Sequence, residues 1–139
     1  VPNKSLNMDR IKSLWYGGET NTSDRYHYSR YHALNLHATF TKGTVEFRMF
    51  NSTLHAGKVR SYVCLALGMS AQAIEQRSAS MSRTTSGNEA FTFRTRLLRM
   101  GFIGEEFKNV RKHLSENLEG DKAWRYDKSR YPQNTGRER

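Results

Sequence analysis

The segment from residue 30 to residue 57 constrains the fold most, because apolar and polar residues alternate on both sides of a break at Lys42-Gly43. Period-two alternation is typical of a half-buried β-strand, and Gly43 can adopt the positive φ that a tight turn needs. We therefore predict a β-hairpin that turns at Lys42-Gly43. This register places three apolar pairs on one face of the hairpin: Phe40 with Val45, Ala38 with Phe47 and Leu36 with Met49.

The opposite face of the predicted hairpin is polar. It carries Asn35, His37 and Thr39 on the first strand, beside Glu46 and Arg48 on the second. A charged group that leaves water needs a partner, and such partners are often ligands or metal ions. From the residues alone, a cross-strand ion pair on a solvated sheet face stays open as the alternative.

The charge balance favours an anionic partner, since the 139-residue chain has a formal net charge of +10 and a pI of about 10.0. Nucleotides, nucleic acids and acidic polymers are such partners. Cys64 is the single cysteine and cannot form an internal disulfide, which fits a reducing cytoplasm. The sequence has no apolar run near the ~20 residues that span a membrane, so we expect a cytoplasmic protein without a membrane segment.

Two helices flank the predicted hairpin. The first is a short amphipathic helix from Ser5 to Tyr16 that ends at Gly17-Gly18. The second runs from about residue 55 to residue 77, with residues 51–53 offering N-cap side chains. Its apolar stripe comprises Val59, Val63, Leu67 and Ile74, and the width of this stripe predicts a long buried helix that backs the sheet.

A helical hairpin is predicted after a polar linker at residues 78–85. A capping box at Ser86 and Glu89 opens its first helix, which ends at Gly101, and the second helix runs from Glu105 to Gly120. We expect a catalytic region at residues 1–80, a helical extension at 81–125 and a disordered basic tail at 126–139. The predicted fold class is α+β, with an antiparallel hairpin on a long buried helix followed by the helical hairpin.

Several short motifs follow one another around the predicted sheet. Residues 46–48 read Glu-Phe-Arg and lead through a polar loop into an Ala/Leu-rich helix, and Arg25 and Arg30 stand five positions apart before them. Residues 30–36 read Arg-Tyr-His-Ala-Leu-Asn-Leu, and further motifs lie at 93–95, 104–108, 113–114 and 120. This series resembles the amidoligase family of the glutamine synthetase-like carboxylate–amine ligases. The resemblance covers most of residues 25–125.

The resemblance implies part of a glutamine synthetase-like domain that uses ATP and Mg²⁺ to join a carboxylate to an amine through an acyl phosphate. Arg25 and Arg30 then correspond to the arginines that hold the γ-phosphate, because a guanidinium offers paired donors to phosphate oxygens. Arg48 is expected to act in catalysis and to contact the carboxylate substrate, together with Asn35 and His37. Glu46 is expected to be a metal ligand.

We expect the chain to be the C-terminal portion of such a ligase, inactive without the N-terminal half of the domain. Glu46 is the only acidic residue in the predicted strands, and one carboxylate cannot organise a two-metal ATP site. The alternative is a basic nucleic-acid-binding or interaction module from a mobile element. If the chain is a ligase portion, its basic surface predicts weak nucleic-acid binding that fades with added salt, whereas specific, salt-tolerant binding would favour the alternative.

Overall fold

The computed structural model describes residues 7–80, 82, 84, 87–126 and 128–130. This part of the chain combines helices with a small antiparallel sheet. The predicted α+β class is therefore confirmed. The chain divides into two compact units, Val1–Ser52 (unit 1) and Thr53–Arg139 (unit 2), which are described separately. The functional division after residues 80 and 125 stays a prediction, and most of the tail predicted to be disordered lies outside the described residues.

Unit 1 begins with helix α1, Met8–Tyr16, whose prediction from amphipathic spacing is confirmed. The side chain of Asn7 accepts a hydrogen bond from the backbone amide of Asp9, which satisfies one of the free donors at the start of the helix. Gly17 ends the helix in the left-handed conformation, with φ of 60°. The first residues of the predicted helix, 5 and 6, lie outside the described residues.

The predicted hairpin at Lys42-Gly43 is wrong. Strand β1 is Leu34–Asn35 and strand β2 is Glu46–Phe47, and helix α2, His37–Lys42, stands between them. The observed register pairs Leu34 with Phe47 and Asn35 with Glu46, so the three predicted apolar pairs do not form. The shift from the predicted register is an even number of residues. Asn35 and Glu46 therefore still share a face, as predicted.

Helix α2 forms in place of the strand because two of its side chains reach the same residue of α1. The Tyr16 ring lies 5.8 Å from the His37 ring and 5.6 Å from the Phe40 ring. Residues three apart share a helix face, whereas in a strand they point to opposite faces. Gly43 has the positive φ that was expected, 72°, but it ends α2 rather than a hairpin turn.

The core of unit 1 consists mainly of hydrogen-bonded polar and aromatic groups. His27, at 2% exposure, accepts a hydrogen bond from the backbone amide of Ser29 on Nδ1, which also lies 2.8 Å from Ser29 Oγ. Its Nε2 lies 3.0 Å from Glu19 Oε2. Trp15 Nε1 donates to Ser29 Oγ at 3.0 Å. These contacts tie α1 to the 3₁₀ turn Tyr28–Tyr31.

Unit 2 contains three α-helices among its described residues: α3, Ala56–Glu75, α4, Glu89–Arg99, and α5, Lys108–Leu114. Helix α5 packs against α3. The existence of all three helices is confirmed, but α5 is much shorter than the helix predicted from residue 105 to residue 120. The N-caps also differ from the prediction. His55 caps α3 in place of residues 51–53, and Asn88 caps α4 by accepting from the amide of Phe91 at 2.9 Å.

The core of unit 2 is built from aliphatic and aromatic side chains. Its buried members are Leu65, Ala90, Leu97, Phe102 and Val110. A Cβ atom on Gly68 would lie 2.7 Å from Phe102 Cζ, so a glycine is needed where this ring crosses α3. Among the residues that the structure describes, no helix combines the length and apolar character that crossing a membrane requires.

The prediction that α3 is buried along its apolar stripe is wrong. Val59, Val63, Leu67 and Ile74 are exposed, with Ile74 at 83%, whereas the buried residues of the helix are Ser61 and Leu65. The periodicity identified a helix correctly, but it could not identify the face that has a packing partner. The buried face of α3 is instead the face that packs against Phe102 and α5.

Candidate functional site

The pairing of β1 with β2 places an amide directly against a carboxylate. Asn35 Nδ2 donates to Glu46 Oε2 at 2.6 Å, and the Asn35 residue is only 2% exposed. The other polar atom of this side chain, Oδ1, is buried and has no hydrogen-bond partner among the described residues. A buried acceptor without a donor is costly to maintain and is a feature that functional sites often show.

Arg48 holds the second oxygen of the same carboxylate. Its NH1 donates to Glu46 Oε1 at 3.0 Å, and its backbone amide donates to the carbonyl of Ala33 at 2.8 Å. The hydrogen bond from Asn35 lowers the pKa of Glu46, and the positive charges of Arg48 and Arg30 act in the same direction. Desolvation opposes them without reversing the shift, so Glu46 is ionised at neutral pH.

Two exposed tyrosine rings connect Arg48 to the other predicted arginines. Arg25 Cζ and Arg30 Cζ lie 5.5 Å and 5.2 Å from the centroid of the Tyr26 ring. Arg30 Cζ and Arg48 Cζ lie 5.6 Å and 5.5 Å from the centroid of the Tyr31 ring. All four distances fall within the range of cation–π contacts. We call Arg25, Tyr26, Arg30, Tyr31 and Arg48 the Arg–Tyr ladder.

His37 occupies a different environment from the one its predicted register implied. It lies in α2 and is buried, with Nδ1 2.6 Å from the Tyr16 hydroxyl and its ring stacked on that of His27 at 5.6 Å. Arg48 pairs with Ala33 rather than with His37. The substrate-binding role of His37 stays a prediction, and its observed contacts are structural.

The site therefore brings together Arg25, Arg30, Asn35, Glu46 and Arg48, which the sequence had singled out. It also contains Tyr26 and Tyr31, which are not among the site residues predicted from the sequence. The signal was the repeated Arg-Tyr pair at residues 25–26 and 30–31. Alternating cations and rings can indicate a binding surface as well as a covered strand edge.

A shallow cavity of about 270 Å³ lies elsewhere in unit 1. Its lining comprises Asp9, Lys12, Ser13, Tyr16, Gly18, Glu19 and Thr22, and none of these residues belongs to the Arg–Tyr ladder. The ladder itself lies on open surface, with Tyr26 65% and Tyr31 69% exposed.

The donor groups around Glu46 among the described residues supply only part of a metal-binding site. Within the described ranges, no group of three or more His, Cys, Asp or Glu side chains is placed to hold one. Glu46 and the amide oxygen of Asn35 are two oxygen donors, whereas Mg²⁺ takes an octahedral set of six. The described residues do not make a complete magnesium site.

Comparison with known proteins identifies the family. The model of the family described as "putative amidoligase enzyme" matches residues 1–70 of the 139. No curated protein and no solved structure matches the chain. The matched segment holds every residue of the candidate site and ends before the similar motifs at 93–120. Because the match spans half of the sequence, the chain belongs to the amidoligase family.

Proposed function

We propose that this chain contributes to an ATP-dependent carboxylate–amine ligase. The observation that carries the proposal is the convergence, inside the segment matched by the family, of an ionised carboxylate and three guanidinium groups. The arginines offer paired N–H donors to anionic oxygens, and the Glu46 carboxylate is held by Asn35 and Arg48.

The proposed reaction has two steps. A carboxylate oxygen of the substrate attacks the γ-phosphorus of ATP, the bond to ADP breaks, and an acyl phosphate forms. The amine nitrogen then attacks the acyl carbon, phosphate leaves, and the nitrogen loses a proton. Both steps concentrate negative charge on phosphoryl and acyl oxygens, and protein donors fixed in position beforehand stabilise this charge.

The three arginines divide this task. Arg25 and Arg30 both contact the Tyr26 ring, and they are proposed to bind the phosphate oxygens of ATP. Arg48 lies next to Glu46 and is proposed to contact the carboxylate substrate or its acyl phosphate. A guanidinium suits this role because its planar fork binds two oxygens at once, which an ammonium cannot do.

Glu46 is proposed as one oxygen ligand of Mg²⁺, and Asn35 as the residue that keeps its carboxylate oriented and ionised. The described residues do not complete a magnesium site by themselves. We also propose that residues 1–139 alone do not turn over ATP, because a single carboxylate cannot hold the metal ions that neutralise the charge of a triphosphate.

The test is ATP-dependent phosphate release with candidate amines and carboxylates, measured on the product of the complete gene. Glu46→Gln should reduce turnover by about 100-fold or more, because it removes charge stabilisation while keeping the shape of the side chain. Arg48→Lys should impair use of the carboxylate substrate and leave ATP affinity nearly unchanged, because it keeps the charge and loses the fork.

Matched controls are Glu105→Gln and Arg99→Lys, which alter exposed charges on unit 2. Both controls should retain normal turnover, and thermal melting should show that all four variants fold. Normal turnover of both site variants would show that Glu46 and Arg48 are only a structural ion pair.

A further inference from the structure

The Arg–Tyr ladder contains more binding groups than one phosphate requires. Three guanidinium groups alternate in space with two tyrosine rings, and each ring contacts two of the arginines at 5.2–5.6 Å. Both rings are largely exposed, at 65% and 69%. Exposed aromatic rings of this kind offer a face on which another flat ring can stack.

The charges along the ladder are unevenly neutralised. Arg48 is paired with Glu46, whose carboxylate also repels any phosphate placed beside it. Neither Arg25 nor Arg30 forms an ion pair among the residues that the structure describes, although Arg30 is near enough to Glu46 to lower the pKa of that carboxylate. The anion-binding end of the ladder is therefore the end formed by Arg25, Tyr26 and Arg30.

We propose that the Arg–Tyr ladder binds single-stranded nucleic acid, with bases stacked on Tyr26 and Tyr31 and phosphates on Arg25 and Arg30. A single strand alternates flat bases with phosphates, which matches the alternation of rings and cations. A mononucleotide has one base and would leave a ring unused. In a duplex the base faces are already stacked, so duplex DNA could use the arginines but not the tyrosines.

Two other tyrosines serve as matched controls. Tyr28 lies in the same 3₁₀ turn and is 62% exposed, but its hydroxyl donates to the Glu19 carboxylate and its ring stacks on His27. The adjacent carboxylate makes it a poor place for a phosphate. Tyr126 in unit 2 also contacts two guanidinium groups, with Arg125 Cζ at 5.4 Å and Arg130 Cζ at 5.7 Å from its centroid.

The experiment measures fluorescence anisotropy of labelled 12-nucleotide probes, as single-stranded RNA, single-stranded DNA and duplex DNA of mixed sequence, with the 139-residue chain. Tyr26→Leu and Tyr31→Leu should each weaken single-strand binding by about tenfold, which is the order expected for one stacked base. Tyr26→Phe and Tyr31→Phe keep the rings and should keep the affinity. Tyr28→Leu and Tyr126→Leu should have little effect.

The salt dependence tests the arginines separately from the rings. Arg25→Gln and Arg30→Gln should each flatten the slope of log affinity against log salt by about 0.7, as expected when one phosphate of a single strand is no longer neutralised. Tyr26→Leu should leave the slope unchanged. Unlabelled ATP at a concentration that matches the nucleotide concentration of the probe should displace it only weakly.

Four results would overturn the proposal: duplex binding as tight as single-strand binding, full displacement by matched ATP, unchanged affinity in both Leu variants, or equal losses in the Tyr28 or Tyr126 control. Circular dichroism spectra of all variants should match that of the parent chain, and the Phe variants keep the test valid if a Leu variant misfolds. Because binding is measured without turnover, the result is independent of the proposed ligase activity.

Discussion

Unit 1 and unit 2 bury different kinds of side chain. Among the described residues of unit 1, the buried ones are Tyr16, His27, Ser29, Asn35 and His37, all of them able to form hydrogen bonds. In the described part of unit 2, Leu65, Ala90, Leu97, Phe102 and Val110 are buried, and the buried serines Ser61 and Ser115 donate back to carbonyls of their own helices. The arginines, the carboxylate and the exposed tyrosines of the candidate site all belong to unit 1.

This difference shows how each unit specifies its structure. A buried polar core is stable only if each donor and acceptor finds its partner, so it fixes side-chain orientations closely. An apolar core is stabilised by area and shape, and it tolerates substitutions that conserve volume. The family match covers all of unit 1, the unit in which hydrogen bonds set the geometry.

The largest expected effect on stability is a cavity in unit 2. Leu97 is fully buried, so Leu97→Ala should lower the free energy of unfolding by about 2–5 kcal/mol through lost burial and residual void. Urea denaturation provides the measurement, and hydrogen exchange should show the loss in the amides of α4. Leu97→Met, which conserves most of the volume, is the control and should cost about 1.5 kcal/mol or less. Equal losses for the two variants would contradict an apolar core specified by volume.

In unit 1, unlike unit 2, a buried residue should not tolerate replacement by an apolar residue of similar volume. His27→Leu should cost about 1–3 kcal/mol, because the hydroxyl and amide of Ser29 lose their acceptor in a buried site. Fluorescence of Trp15, measured in a Trp124→Phe background, should report the unfolding of unit 1, since Trp15 is hydrogen-bonded to Ser29. If His27→Leu proves neutral or stabilising, the polar network does not specify unit 1.

The smallest expected effect concerns the exposed stripe of α3. Ile74 is 83% exposed, so Ile74→Gln should change the free energy of unfolding by about 0.5 kcal/mol or less. Leu65→Gln, on the buried face of the same helix, is the matched contrast and should be strongly destabilising. A large loss for Ile74→Gln in urea denaturation would show that this stripe is covered in solution.

The sequence predicted elements that local rules determine. Periodicity and glycine stops located α1, α3 and α4, whose ends fall within a few residues of the prediction. The hairpin prediction is wrong because the choice between strand and helix at residues 37–42 depends on Tyr16, whose contact with His37 spans 21 positions in the sequence. No local pattern contains that contact.

The candidate site was more predictable than the sheet that carries it. Side-chain direction in a strand depends only on parity, so an even shift in register kept Asn35 and Glu46 on the same face. The buried face of α3 and the cap at His55 were missed because both depend on which residues pack nearby. The link between Arg25 and Arg48 through two rings depends on how residues 25–48 fold, although the Arg-Tyr pairs themselves are visible in the sequence.

The titration of Glu46 tests most directly whether unit 1 builds a site around an ionised carboxylate. The pKa of this group should lie below its ordinary value of 4.5, as measured by ¹³C NMR on the side-chain carboxyl, and Asn35→Ala should raise it. Because the folded-state pKa is lowered, the stabilisation from these contacts is complete above about pH 4.5 and is lost as the pH falls through the lowered value. An ordinary or raised pKa, or no response to Asn35→Ala, would contradict the site as described.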